Sequence, residues 1–181
     1  MYPAGFDTRI VVGGPAAGLE SDFRPEHFSG VATIVAKLLL AGMPDCAYFG
    51  EKDFQQLLVV RKLVSDLNIP TEIVGCPTMR GPDGLAMSSR NAYLSPEERA
   101  RAPNLHAILR DVAANIRSSN SSGNVLEGAR RRIKEAGFVL DYLELRSADT
   151  LSAVEDITEK PMRLLVAARV GKTRLIDNIG M

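Results

Sequence analysis

Residues 46–74 read CAYFGEKDFQQLLVVRKLVSDLNIPTEIV. Three patterns follow one another here, and their order decides the fold. Residues 46–49 are a short apolar run, which suits a buried strand. Residues 54–67 repeat Leu57, Leu58, Val60, Val64 and Leu67 at helical spacing, and Asn68-Ile69-Pro70 stops that helix. Residues 71–74 are a second β-rich segment. Strand, helix and strand in about 30 residues make a βαβ unit, which builds a parallel sheet with a right-handed crossover. Open parallel sheets bind ligands at the carboxyl ends of their strands. Gly50, Glu51, Lys52 and Asp53 lie at such an end, so the charges stand where this architecture puts chemistry.

Upstream, residues 9–12 read as a short strand, broken by Gly13-Gly14-Pro15. Val31, Ile34, Val35, Leu38 and Leu39 recur at helical spacing and predict an amphipathic helix of about three turns. Downstream of Pro77 the character changes. Residues 80–84, RGPDG, are a turn cluster, and residues 85–94, LAMSSRNAYL, have no clear period. Ser95-Pro96-Glu97-Glu98 is a helix start: Ser95 caps, Pro96 fits the first helical position, and Glu98 completes the Ser-x-x-Glu box. That helix is expected to run to about residue 117. Residues 118–123, SSNSSG, read as a flexible loop. A second helix spans roughly 125–136, with Gly137 as its stop. Strands follow at about 141–146, 163–170 and 173–177, with Gly171-Lys172 as a two-residue hairpin link. The chain therefore reads as α/β, with residues 1–77 carrying a parallel sheet and residues 78–181 a small second α/β domain.

The 181 residues are 45% apolar and 24% charged, normal for a globular protein. Lys and Arg number 22, as do Asp and Glu. That balance argues against a nucleic-acid binder, which shows a basic excess, yet leaves room for a local phosphate pocket. Cys46 and Cys76 have no Cys-x-x-Cys spacing and read as two reduced, buried thiols of a cytoplasmic protein. Two histidines far apart are a poor basis for a metal site. The first residues, MYPAGFDTRI, have no signal-peptide pattern. The longest apolar stretch, residues 30–43, is interrupted by Lys37 and too short for a bilayer.

Three polar patches carry the candidate chemistry. Gly50 lets a ligand approach the backbone, the helix start behind it suits an anion, and Lys52 adds a point charge for phosphate. The same letters also suit a plain helix cap, since Asp53-x-x-Gln56 is a good capping pair. Met87-Ser88-Ser89-Arg90-Asn91 follows a glycine-rich turn; such a loop can wrap a triphosphate, with hydroxyls and the Arg90 fork on its oxygens. It also suits a polar loop whose Ser and Asn make local turns. Arg24 and His27 stand just before a helix, where His27 is either a substrate contact or a hydrogen-bond partner of the helix start. All three patches lie at element ends, each ahead of a helix, and point to an anion-rich pocket between two lobes.

Residues 50–57 (GEKDFQQL), 72–75 (EIVG), 83–94 (DGLAMSSRNAYL), 164–178 (LLVAARVGKTRLIDN) and the run HFSGVATIVAKLL together resemble the pantothenate synthetase (pantoate–β-alanine ligase) family. The resemblance runs from Tyr2 to Asn178. It implies a nucleotidyltransferase-superfamily fold, with residues 1–77 as the carboxyl-terminal part of a Rossmann-like nucleotide-binding domain and residues 78–181 as a small lid domain. It implies ligation of D-pantoate to β-alanine with ATP and Mg²⁺. Pantoate's carboxylate attacks the α-phosphate, giving pantoyl adenylate and pyrophosphate, and the β-alanine amine then displaces AMP. It also implies a cytoplasmic homodimer that handles small molecules, with no nucleic acid and no membrane. By motif position, Gly50, Glu51, Lys52 and Asp53 match the ATP-contacting strand end, and Gln56 the glutamine that holds pantoate. Met79 matches a residue whose backbone lies against adenine. Met87, Ser88, Ser89 and Arg90 match the loop that closes on the phosphates, the counterpart of the Lys-Met-Ser-Lys-Ser loop of related synthetases. Arg24 and His27 match a segment near the acid and amine substrates. Lys52, Ser88, Ser89 and Arg90 are the candidate catalytic residues; no metal ligand is assigned.

Two departures from the family pattern accompany the resemblance. Glu26 stands where the family has Gly, an extra carboxylate beside an anion pocket. Family members also carry further residues before the segment matching Met1, with a His-x-Gly-His helix start, a second pantoate-binding glutamine and acidic residues near the metal. On that comparison this chain is expected to be the carboxyl-terminal two-thirds of such an enzyme, with an open, apolar edge on the strand at 46–49. Losing one preorganised donor costs about 10²–10³ in rate, so the chain by itself is expected to be inactive. It is then one half of a split enzyme, a nucleotide-binding remnant, or a folding-impaired fragment with no function.

Overall fold

The computed structural model describes residues 1–119, 122–154, 157 and 160–181. They form two compact units, Met1–Pro77 and Thr78–Met181.

In the first unit, α1 (Glu20–Phe23) leads into α2 (His27–Gly42), β1 (Cys46–Gly50), α3 (Phe54–Asp66) and β2 (Glu72–Cys76). β1 and β2 are parallel neighbours, in register from Cys46↔Glu72 to Gly50↔Cys76, as the strand–helix–strand reading requires. The α2 helix is sixteen residues long, more than the three turns expected. Its buried stripe begins earlier, at Phe28 and Ala32, before continuing through Val35, Ala36 and Leu39. Met43 ends it in the left-handed region, its N–H on the Leu39 carbonyl. Ala32, Val35, Ala36 and Leu39 pack with Val60, Leu63 and Ile69 into one apolar cluster.

Residues 9–12 are not a strand. Their alternation is real: Ile10 and Val12 lean on the apolar cluster while Val11 is exposed. But the segment lies against α2 rather than along a strand edge, and the Ile10 N–H donates to Thr33 Oγ1 at 3.0 Å. Period-two patterning reports burial of one face, not the presence of a ladder partner. The two cysteines are free and half-buried rather than buried. Burial, then the neighbouring Glu72 carboxylate, pushes the Cys46 thiol upward.

In the second unit, α4 (Pro96–Arg101), α5 (Pro103–Ser119) and α6 (Gly123–Glu135) precede β3 (Val139–Ser147), β4 (Met162–Val170) and β5 (Thr173–Gly180). The strands form an antiparallel sheet in the order β3-β4-β5. Apolar faces of α5 and α6, including Leu105, Leu109, Val112, Ile116, Ala129 and Ile133, join the same cluster as Leu143, Leu164, Val166 and Val170 of the sheet. The Ser95 capping box is present with both of its hydrogen bonds. The helix expected to run unbroken from it is two helices. Pro103 has no N–H to continue the first ladder and its ring crowds the preceding turn, so α4 closes with the Ala102 N–H on the Glu98 carbonyl. Residues 120 and 121 of the expected loop lie outside the described residues; Ser118 belongs to α5 and Gly123 opens α6. Val170 pairs with Thr173 across the two-residue turn, where Gly171 has φ +56° and a Cβ would run into the Glu98 carboxylate.

Candidate functional site

In the first unit the candidate residues sit on the turn between β1 and α3. Gly50 has φ −69°, and a Cβ there would meet open space. The fold itself therefore does not call for glycine at 50, whereas a ligand lying against the backbone would. Glu51, Lys52 and Asp53 form one 3-10 turn. Asp53 occupies the N-cap position of α3 but makes no side-chain cap hydrogen bond. The capping-pair alternative for Asp53 and Gln56 is thus not realised, and the positive end of the α3 dipole is left without that carboxylate cap. The Lys52 side chain is only 17% exposed, with its Nζ 3.8 Å from Asp53 Oδ2. Glu51 turns toward β2. A Cβ on Gly75 would lie 3.4 Å from Glu51 Oε1, 3.2 Å from Arg61 Nη2 and 3.1 Å from Leu57 Cδ2. Glycine at 75 is what lets this acid, base and leucine converge.

The paired glutamines divide their work. Gln55 is buried: its Oε1 accepts the Glu20 N–H at 3.1 Å, and its Nε2 donates to the carbonyls of Pro15 at 3.0 Å and Gly18 at 3.1 Å. It ties the Gly13–Gly18 loop and the start of α1 to the start of α3. Gln56, one residue on, is half-buried. Arg24 closes α1, with its Nη1 3.9 Å from the carboxylate of buried Glu20. His27 opens α2, donating its N–H to the Arg24 carbonyl at 3.0 Å, and its ring tilts onto Phe28. Glu26 is not an uncompensated charge, because Arg9 Nη1 lies 2.8 Å from its carboxylate.

In the second unit the candidates sit on a small hairpin and the turn after it. Arg80 and Ala86 form an antiparallel bridge; the Gly81 N–H donates to the Leu85 carbonyl and the Met87 N–H to the Met79 carbonyl, both at 2.9 Å. Residues Ser89–Tyr93 make a 3-10 turn capped by Ser88, whose Oγ accepts the Arg90 N–H. Asn91 Nδ2 donates to the Ala86 carbonyl at 3.0 Å. Ser88 and Asn91 therefore do make the local turn contacts that a polar loop needs. Ser89 and Arg90 do not: their side chains are exposed and no described residue pairs with them. Met79 and Met87 are 71% and 63% exposed and flank the Arg80↔Ala86 bridge.

The structure thus gathers Gly50, Glu51, Lys52, Asp53 and Gln56 on one strand-to-helix turn. It gathers Met79, Met87, Ser88, Ser89 and Arg90 on one hairpin and turn. Two contributors escaped the sequence reading. Gln55 has partners 35 to 40 residues away, and no local spacing announces them. Arg80 reaches Asp177 across 97 residues, with equally little warning. Among the described residues, no group of three or more His, Cys, Asp or Glu side chains is placed to hold a metal ion. The described side chains therefore do not build a magnesium cage by themselves. Nor is any helix among them long and apolar enough to cross a membrane.

Comparison with known proteins agrees with this architecture. The family model described as Pantoate-beta-alanine ligase matches residues 1–180. A pantothenate synthetase of Rhodopseudomonas palustris strain BisA53 is 52% identical over 182 aligned positions, covering 100% of this chain and 64% of that protein. One of Rhodospirillum rubrum is 54% identical with the same coverage. The crystal structure of the Thermus thermophilus enzyme superposes with a TM-score of 0.93 at 47% identity, covering 99% of this chain and 65% of that one. A Francisella tularensis pantoate-beta-alanine ligase, solved with beta-gamma ATP and beta-alanine, gives a TM-score of 0.75 at 35% identity, covering 98% of this chain and 60% of that one. The chain spans 64% of the length of the curated relatives it matches. A match across residues 1–180, together with the parallel and antiparallel sheets just described, means that the chain belongs to the pantoate-beta-alanine ligase family.

Proposed function

We propose that this chain carries the nucleotide-gripping part of a pantothenate synthetase, which condenses D-pantoate with β-alanine through pantoyl adenylate. In the first step a pantoate carboxylate oxygen attacks the α-phosphorus of ATP, and the bond to the β-phosphate breaks to release diphosphate. In the second, the β-alanine nitrogen attacks the acyl carbon, loses a proton, and AMP departs. Lys52 places a partly covered positive charge against phosphate oxygens, where low exposure strengthens it. Asp53 orders that turn, and Gln56 hydrogen-bonds pantoate. Arg90 forks onto phosphate oxygens beside the Ser88 and Ser89 hydroxyls, and the Met79 backbone lies along adenine. Arg24 and His27 serve the acid and amine substrates. Residues 1–77 act as the Rossmann-like part and residues 78–181 as the lid, in a cytoplasmic homodimer.

The observation that carries the reading is the division of labour in the 87–91 turn. Ser88 and Asn91 hold the backbone, while Ser89 and Arg90 are exposed with no partner among the described residues. Binding groups kept out of structural contacts on a braced turn are what an anion site needs. The test is exchange of radiolabelled pyrophosphate into ATP, with pantoate present. The 181-residue chain should bind ATP yet show no exchange, for it contains no His-x-Gly-His. Adding the amino-terminal third of a relative in trans should restore exchange. Bound ATP without restoration identifies a nucleotide-binding remnant instead, and exchange by the 181-residue chain unaided would overturn the predicted inactivity.

A further inference from the structure

We propose that Asp177, Arg80 and His106 form a positioning network that sets the orientation of the Met87–Arg90 turn, although none of the three belongs to it. The hairpin leading into that turn is weakly paired, with one bridge at Arg80↔Ala86. Two backbone hydrogen bonds, Gly81 to Leu85 and Met87 to Met79, flank that bridge. Its firm attachment lies elsewhere. Arg80 grips Asp177 of β5 with both arms of its guanidinium, Nη1 to Oδ2 at 2.7 Å and Nη2 to Oδ1 at 2.8 Å. The same Nη1 donates to the Gly84 carbonyl at 3.2 Å, at the hairpin tip. His106 of α5 completes the cluster, with Nδ1 3.1 Å from Asp177 Oδ2. Its ring also fills the space over the tip: Gly84 has φ +87°, and a Cβ there would stand 3.3 Å from His106 Cδ2.

One carboxylate therefore joins three elements: the hairpin, an edge strand and a helix. Asp177 is 5% exposed, Arg80 21% and His106 15% at the side chain, so water screens these contacts little. A bidentate pair fixes angle as well as distance. The hairpin leaves this clamp at Ala86, and Asn91 ties the following turn back to the Ala86 carbonyl. The direction in which Arg90 points is thus inherited from the grip on Asp177. That this matters for ATP rests on the function proposed above; that the turn depends on Asp177 does not.

The experiment uses the ¹⁵N-labelled 181-residue chain with ATP as the probe, in the wild type, Asp177→Asn, Arg90→Ala, the double variant and Arg80→Lys. In Asp177→Asn the amide resonances of Met87, Ser88, Ser89 and Arg90 should shift or broaden while those of β3 and β4 stay in place. ATP binding should weaken about tenfold, the loss of one charged hydrogen bond's worth of binding. Arg90→Ala should weaken it similarly, and the double variant should bind about as the single ones do, because residues acting through one another are not additive. Arg80→Lys, which keeps one contact, should fall between wild type and Asp177→Asn; it decides the matter by the same resonances if Asp177→Asn does not fold. Unmoved 87–90 resonances, or losses that multiply fully in the double variant, would overturn the inference. A wild-type chain that binds no ATP contradicts the proposed function, and the resonances then decide the network by themselves.

Discussion

Gln55 and Gln56 are neighbours of one residue type with opposite dependence on the fold. Gln55 satisfies a buried N–H and donates to two nearby carbonyls, so Gln55→Ala should destabilise the first unit by ~1–3 kcal/mol, the cost of stranding buried polar groups. Gln56→Ala should change stability by less than about 0.5 kcal/mol while weakening pantoate binding in the reassembled enzyme. Urea unfolding of both variants separates the two roles. Asp177 gives a pH prediction. Burial pushes its pKa up, but the hydrogen bonds from His106 and Arg80, the Arg80 charge and the Asn178 N–H outweigh that and hold it below the usual value. A carboxyl lowered in the folded state binds fewer protons there than in the unfolded chain. Its contribution is therefore complete above about pH 4 and is lost as pH falls through the depressed folded value. Unfolding free energy measured from pH 6 to pH 3 should fall less steeply in Asp177→Asn than in the wild type. Equal slopes would show that the carboxylate is not linked to folding.

At the scale of elements, legibility followed the range of the forces involved. Helices α3 and α6, strands β1 and β4, the Gly171-Lys172 turn and the Ser95 box were readable because each is specified by neighbours within a turn or a strand. The Ser95 box predicts its own test: Ser95→Ala should cost ~1 kcal/mol of the second unit's stability, seen as a lower denaturation midpoint with an unchanged slope. The break at Pro103 had a visible cause, but a proline also suits the first turn of a new helix, and the buried stripe Leu105, Leu109, Val112 and Ile116 lies wholly after it. Residues 9–12 failed differently, since alternation told which side chains are covered but not by what. Within the candidate site, the motif letters located the strand end and the 87–91 turn. The Gln55 tether and the Asp177 clamp stayed invisible, because both join residues more than thirty positions apart.

At the scale of the whole chain, the core of the second unit is drawn from residues 85 to 181, without help from the first 77. The segment Thr78–Met181, expressed separately, should therefore unfold cooperatively in urea, with β3–β5 amides protected from exchange. A non-cooperative transition would show that this core is insufficient. The central claim is that the chain binds ATP and that Lys52 and the 87–90 turn each contribute to that binding. Isothermal titration of ATP into the 181-residue protein tests it most directly. The account predicts saturable binding that weakens about tenfold to a hundredfold in Lys52→Ala and again in Arg90→Ala, as loss of a charged hydrogen bond implies. No binding by the folded wild type, or wild-type affinity in both variants, would contradict it.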